Sequence, residues 1–227
     1  MPIGLSTRHG RTVSLEQGAD PGASRCPACG EPLFAWVETS GYGRDEDLPI
    51  DHCESCGLVI ARDAVPTPDE AVAALLTAAE PRDGRVLLRT ENAASLQAWL
   101  GSEHWAALRP GRPSLVATPR AVSLLLARRG LEVRRVRHLA GAGMASMWQT
   151  LLNLLTFHRN FASEAASRRL RPGTGWRRRA AYWIDAVVTV LAAVPAALIA
   201  VLLEGGAVLA GRGGVVEVEA EQLPSTD

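Results

Sequence analysis

Not one lysine occurs in this chain; all 24 basic residues are arginine. A phosphate-binding loop ending in lysine, a Schiff-base nucleophile and a lysine general base are therefore excluded. Aromatic residues make up only 5% of the sequence, too few to interleave with arginine as a base-stacking surface, so nucleic acid is not an expected partner. Residues 1–22 are polar and hold no apolar core of leader-peptide length, which makes the cytoplasm the expected location of the start of the chain. No Ser-His-Asp order, paired-carboxylate site or second metal cluster stands out. His104, His138 and His158 have no acidic or cysteine partner at ligand spacing and read as structural.

What is present suits a globular protein: 227 residues, 47% hydrophobic and 21% charged, with room for one ordinary domain and a small one. The formal charge of zero hides a segregation, with residues 1–100 at net −7, residues 101–212 at net +11 and the remainder acidic. A basic middle of this kind matches an anionic membrane face.

Four cysteines form the sharpest signal. Cys26-Pro27-Ala28-Cys29-Gly30 and Cys53-Glu54-Ser55-Cys56-Gly57 are two C-x-x-C-G knuckles separated by 23 residues. Each knuckle turns two thiolates toward one ion, and the glycine after it permits the left-handed backbone that closes the turn. Cys26, Cys29, Cys53 and Cys56 therefore read as a structural zinc site, tetrahedral and closed to substrate, within a zinc ribbon spanning residues 1–63. A redox dithiol pair, a rubredoxin-like iron site and metal-free structural cysteines are the competing readings. His52 reads as a solvent-facing loop neighbour of Cys53. Strands are expected over residues 33–37 and 58–61, with a turn over residues 41–45.

Residues 64–227 read as a second unit. Thr67 or Asp69 can cap a helix over residues 70–79, with Pro68 in its first turn. Residues 81–84 suggest a turn, 85–90 a strand, 93–100 a short helix and 101–112 a tryptophan-containing loop. Trp99 and Trp105 are expected to pack this unit. A helix over residues 120–129, stopped by Gly130, leads into a strand over residues 131–139. Gly141-Ala142-Gly143 follows that strand and opens a helix, a weak nucleotide-turn signal. Glu217 and Glu219, on alternate positions of the last strand (residues 214–220), read as one solvated face.

Residues 186–203 carry no charge over 18 positions, interrupted only by Thr189 and Pro195, which meets the length of a membrane span and equally fits a buried helix pair. Trp176 and Trp183 flank the run as interface residues would, and the arginine-rich stretch 168–179 precedes it, which, if the run spans, places the ribbon on the cytoplasmic side.

Taken together, the knuckles, the Pro-rich linker Pro66-Thr67-Pro68-Asp69-Glu70, the block Asp83 to Asn92, then Ser95-Leu96, Trp105, Leu108-Arg109-Pro110, Thr118-Pro119-Arg120 and Arg129-Gly130-Leu131-Glu132-Val133 resemble zinc-ribbon-containing class I S-adenosylmethionine-dependent methyltransferases of bacteria. The resemblance covers two separated blocks and departs from the family where it matters for catalysis. The segment carrying the glycine-rich cofactor loop and the ribose-binding acid has no counterpart, Glu91 stands where the family has proline, and Arg112-Pro113-Ser114 replaces a His-containing tripeptide. It implies an α/β fold in which the ribbon precedes a partial Rossmann-like half-domain with a small mixed sheet. Val215 to Val218 would lie beside Val86 to Leu88 in a sheet that also takes Val133 to Val136. The apolar residues 140–212 would form a helical insertion, packed as a lid or against a protein partner. The implied function is a methyltransferase-like protein lacking independent activity, with S-adenosylmethionine not bound by this chain alone. The alternative is a membrane-associated zinc-ribbon adaptor anchored by residues 186–203.

Overall fold

The computed structural model describes residues 24–40, 47–82, 84–108, 115–167 and 175–223. The expected turn at 41–45, Arg109-Pro110, Arg112-Pro113-Ser114 and the first half of the arginine stretch 168–179 lie outside the described residues.

The first sheet is built by the ribbon. Strands β1 (Phe34–Ser40), β2 (Asp47–His52) and β3 (Val59–Ala61) pair antiparallel in chain order. A short strand from beyond the linker, Leu115–Val116, adds to the edge of β3. The linker leads into α1 (Pro68–Thr77), which starts two residues before the expected helix: of the two candidate caps Thr67 is the one used, Glu70 reaches back to the Thr67 N–H at 2.8 Å, and Pro68 occupies the first turn.

The second sheet is assembled from distant parts of the sequence. Residues 79–82, read in part as a turn, form strand β4 (Ala79–Arg82), which folds back through Gly84 (φ +78°) onto β5 (Arg85–Glu91). Then come the short α2 (Leu96–Gly101), capped by Ser95, the Leu115–Val116 strand as β6, and α3 (Pro119–Ala127), capped by Thr118. Strand β7 (Leu131–His138) follows, and β8 (Val215–Gln222) closes the sheet in the order β4-β5-β8-β7. Val218 pairs with Leu88 on one side and Val136 on the other, so β8 occupies the position expected of it. The sheet is not mixed, however: every neighbouring pair is antiparallel, because β8 runs against both of its neighbours and β4 is a tight reversal of β5. A Rossmann-like fold is not established by this four-stranded antiparallel sheet.

One core unites the two sheets. Val72 and Leu75 of α1 and Val122, Leu125 and Leu126 of α3 meet Leu88, Val216 and Val218 of the second sheet and Leu58 and Ile60 of the ribbon. A second cluster joins Ile50, Val59 and Val116 to Ala98, Trp105 and Leu108. Trp105 is fully buried as expected, whereas Trp99, on the far side of α2, is 54% exposed and packs nothing central.

Between β7 and β8 the chain makes a helical arm: α4 (Ala140–Asn153), α5 (Phe161–Ala166) and the 34-residue α6 (Trp176–Leu209). Helix α4 lies on the body, where the Ala106 N–H donates to Thr150 Oγ1 at 3.1 Å and Asn153 Nδ2 donates to the His104 carbonyl at 2.9 Å. Helix α6 runs back along the outside of α4. It is pinned at both ends and in the middle, with Asp185 accepting from the Phe157 and His158 amides at 2.8 and 3.0 Å. The Trp148 indole donates to the Ala193 carbonyl at 2.9 Å, beside Pro195. Glu204 accepts from Gln97 Nε2 and the Gly214 N–H, both at 2.7 Å.

Candidate metal centre

The two knuckles fold alike. In each, the glycine N–H donates to the carbonyl of the first cysteine (Gly30 to Cys26 at 2.8 Å, Gly57 to Cys53 at 2.7 Å), and both glycines take positive φ. A second backbone bond closes each turn, from the Cys26 N–H to the Glu31 carbonyl and from the Cys53 N–H to the Leu58 carbonyl. The knuckles face each other, so that Cys26 Sγ lies 3.5 Å from Cys56 Sγ and Cys29 Sγ lies 3.4 Å from Cys53 Sγ. All four sulfurs lie within 4.8 Å of one another. Four thiolates bound tetrahedrally at about 2.3 Å from an ion stand about 3.8 Å apart, so the cluster has the dimensions of a four-sulfur metal site.

Its electrostatics call for a cation. Burial pushes the Cys26 thiol up to about 11 against hydrogen bonds from neighbouring amides, and burial pushes Cys56 up further, reinforced by Cys26 beside it. Burial also raises Cys29, but hydrogen bonding from the Glu31 amide and the surrounding thiols outweighs it and brings that group below its ordinary value. A divalent ion at the centre would supply the charge that stabilises all four as thiolates. The site is tied to the body by Thr118, whose hydroxyl donates to the Cys56 carbonyl and whose methyl lies where a side chain at Gly57 would stand.

His52 lies on β2 rather than in a loop, half-buried between the rings of Phe34 and Trp36 (centroids 6.5 and 6.4 Å), and its Nδ1 is buried without a partner among the described residues. His158 is not isolated. Its Nδ1 contacts the Asp185 carboxylate, 27 residues away in sequence, because the α4–α6 reversal brings them together. Glu217 and Glu219 do share the outer face of the sheet, but they are ion-paired with Arg89 and Arg85 and largely covered by them. Gly143 marks close packing rather than a nucleotide turn: an added Cβ would stand 1.9 Å from Glu204 Oε1.

The apolar run is neither a buried pair nor a lone helix. Helix α6 has a stretch of mean hydropathy 2.7, only 11% of which is buried inside the molecule. Small residues (Ala196, Ala200, Ala207) face inward, while Trp183, Val187, Val190, Leu191, Leu198 and Leu202 project outward.

Comparison with models of protein families, with curated proteins and with solved structures finds no match to this chain.

Proposed function

We propose that this is a membrane-surface zinc-ribbon protein, cytoplasmic in orientation and without catalytic activity of its own. The observation that carries this reading is α6, whose outward face beyond Arg179 is apolar and uncovered while Asp185 and Glu204 near its two ends tie it to the body. A helix that crossed a bilayer alone would leave β8 on the far side, yet β8 fills the gap between β5 and β7. A helix lying in the interface keeps the sheet intact and immerses the outward face, with Arg177, Arg178 and Arg179 at its start near anionic headgroups. Zinc is the ion of choice for a four-thiolate tetrahedron with no redox duty, and a reducing cytoplasm keeps such thiols available.

The test is flotation of the full chain with vesicles containing phosphatidylglycerol, together with protease mapping of tags at either end in cells. The expected result is co-flotation with both tags on the cytoplasmic side. Tags on opposite sides, or a monodisperse protein that ignores vesicles, would overturn the reading.

The methyltransferase-like reading is favoured by one observation, the pairing of β8 with β5 in a sheet that also takes β7, as the resemblance implies. On that reading the half-sheet is a relic or a portion completed by a partner. Calorimetric titration with S-adenosylmethionine is expected to show no binding by this chain alone; saturable binding would restore an enzymatic role.

A further inference from the structure

The outer face of the second sheet carries an unusual surplus of guanidinium groups. On β8, Val216, Val218 and Ala220 point into the core, so Glu217, Glu219 and Glu221 point outward. Arg85, Leu87 and Arg89 of β5 share that face, and Arg135 and Arg137 of β7 stand opposite Glu219 and Glu217. The glutamates are already committed. Glu217 pairs with Arg89 at 2.9 Å, Glu219 with Arg85, and Glu221 with Arg134 and, at 3.8 Å, with Arg85. Arg82, Arg135 and Arg137 are left without an ion pair among the described residues.

These groups surround one cleft of about 520 Å³. Arg82 and Arg85 wall it on the β4–β5 side, Arg135 and Arg137 wall it on the β7 side, and Leu87, Glu217 and Glu219 form its floor. Four guanidinium groups against two carboxylates leave two positive charges in the lining. Unpaired arginines gathered over a concave surface repel one another, and a dianion between them relieves that repulsion. The planar fork of arginine matches a phosphate oxygen pair in two parallel hydrogen bonds, which a single carboxylate ligand would satisfy at only one wall. The floor glutamates are acceptors for hydroxyl groups beside the phosphate.

We infer that this cleft binds a phosphate monoester carried on a hydroxylated group, held between Arg135 and Arg137 on one wall and Arg82 on the other. The inference rests on the sheet face and is independent of α6. Two sources carry this chemistry, a free sugar phosphate and a phosphorylated lipid headgroup.

The experiment titrates the full-length protein with ribose 5-phosphate and with ribose, and separately measures capture by vesicles containing phosphatidic acid or phosphatidylglycerol. The variants are R135A/R137A in the cleft and R120A, an exposed arginine on α3, as the control; thermal melting verifies that each is folded. Saturable, salt-sensitive binding of ribose 5-phosphate but not ribose, weakened at least about tenfold in R135A/R137A and unchanged in R120A, supports the site with a free ligand. No response to ribose 5-phosphate, with capture by phosphatidic acid exceeding capture by phosphatidylglycerol by a margin that disappears in R135A/R137A, supports it with a lipid source. Equal capture by both vesicles in all variants, with no sugar-phosphate binding, would overturn the inference while leaving the α6 reading standing.

Discussion

Two pairs of glycines separate backbone need from space. Gly30 and Gly57 both hold left-handed backbone, but an added Cβ at Gly30 meets nothing, whereas at Gly57 it stands 2.5 Å from Thr118 Cγ2. Gly30→Ala is expected to cost about 1 kcal/mol and Gly57→Ala clearly more, read as a larger fall in melting temperature of the metal-loaded protein. In α4, Gly141 faces open space while Gly143 abuts the Glu204 carboxylate. Gly141→Ala is expected to stabilise by about 0.5–1 kcal/mol and Gly143→Ala to destabilise by about 2 kcal/mol or more, since the displaced carboxylate loses buried partners. Equal effects in either pair would remove the contact argument. The thiols give a pH prediction of definite sign. With Cys26 and Cys56 held above their ordinary values, the protein without metal keeps them protonated at neutral pH, so metal entry expels protons and affinity rises with pH. Competition with a chelator between pH 6 and 7.5 should show apparent affinity rising by about tenfold or more per pH unit; a flat profile would contradict the site.

The secondary-structure elements show how far the sequence could be read. The knuckles were legible because their chemistry is local: residue type, spacing and glycine define them without the rest of the chain. The α1 start was legible, to within the two caps Thr67 and Asp69, for the same reason. Strand β4 was not, since Pro81 and Gly84 carry turn chemistry and only the pairing with β5 makes residues 79–82 a strand. The His158–Asp185 contact was equally hidden, because it depends on the reversal of α4 onto α6 and not on any spacing. That contact carries its own expectation: Asp185→Ala strips partners from two backbone N–H groups and should cost about 2–4 kcal/mol, measured by denaturant unfolding. On the outward face of α6, Leu191→Glu and Leu202→Glu lie three turns apart at 72% and 75% exposure. Each should weaken vesicle binding about tenfold or more while leaving the melting temperature in detergent unchanged. A fall in stability instead would mean that the face is packed.

For the molecule as a whole, the ribbon and the second sheet are not strung together but share a core, and a strand from beyond the linker extends the ribbon's sheet. Metal removal should therefore be felt outside the ribbon. Chelation is expected to increase amide exchange in α3 as well as around the cysteines, through the bond from Thr118 to Cys56 and the packing of Val122 and Leu125. Protection of α3 that is unchanged after chelation would show the ribbon to be energetically separate.

The position of β8 has a consequence in time. Its partners on β5 lie far back in the chain, with Arg89 and Glu217 separated by 128 residues, and the arm is synthesised before β8. Until β8 is made, β5 and β7 have an open gap between them, while α6 with its apolar outward face precedes β8 in the order of synthesis. Long-range strand insertion of this kind is slow compared with helix formation. A nascent chain that meets a lipid surface first would have its arm laid down there before its sheet is complete, so attachment would precede folding rather than follow it.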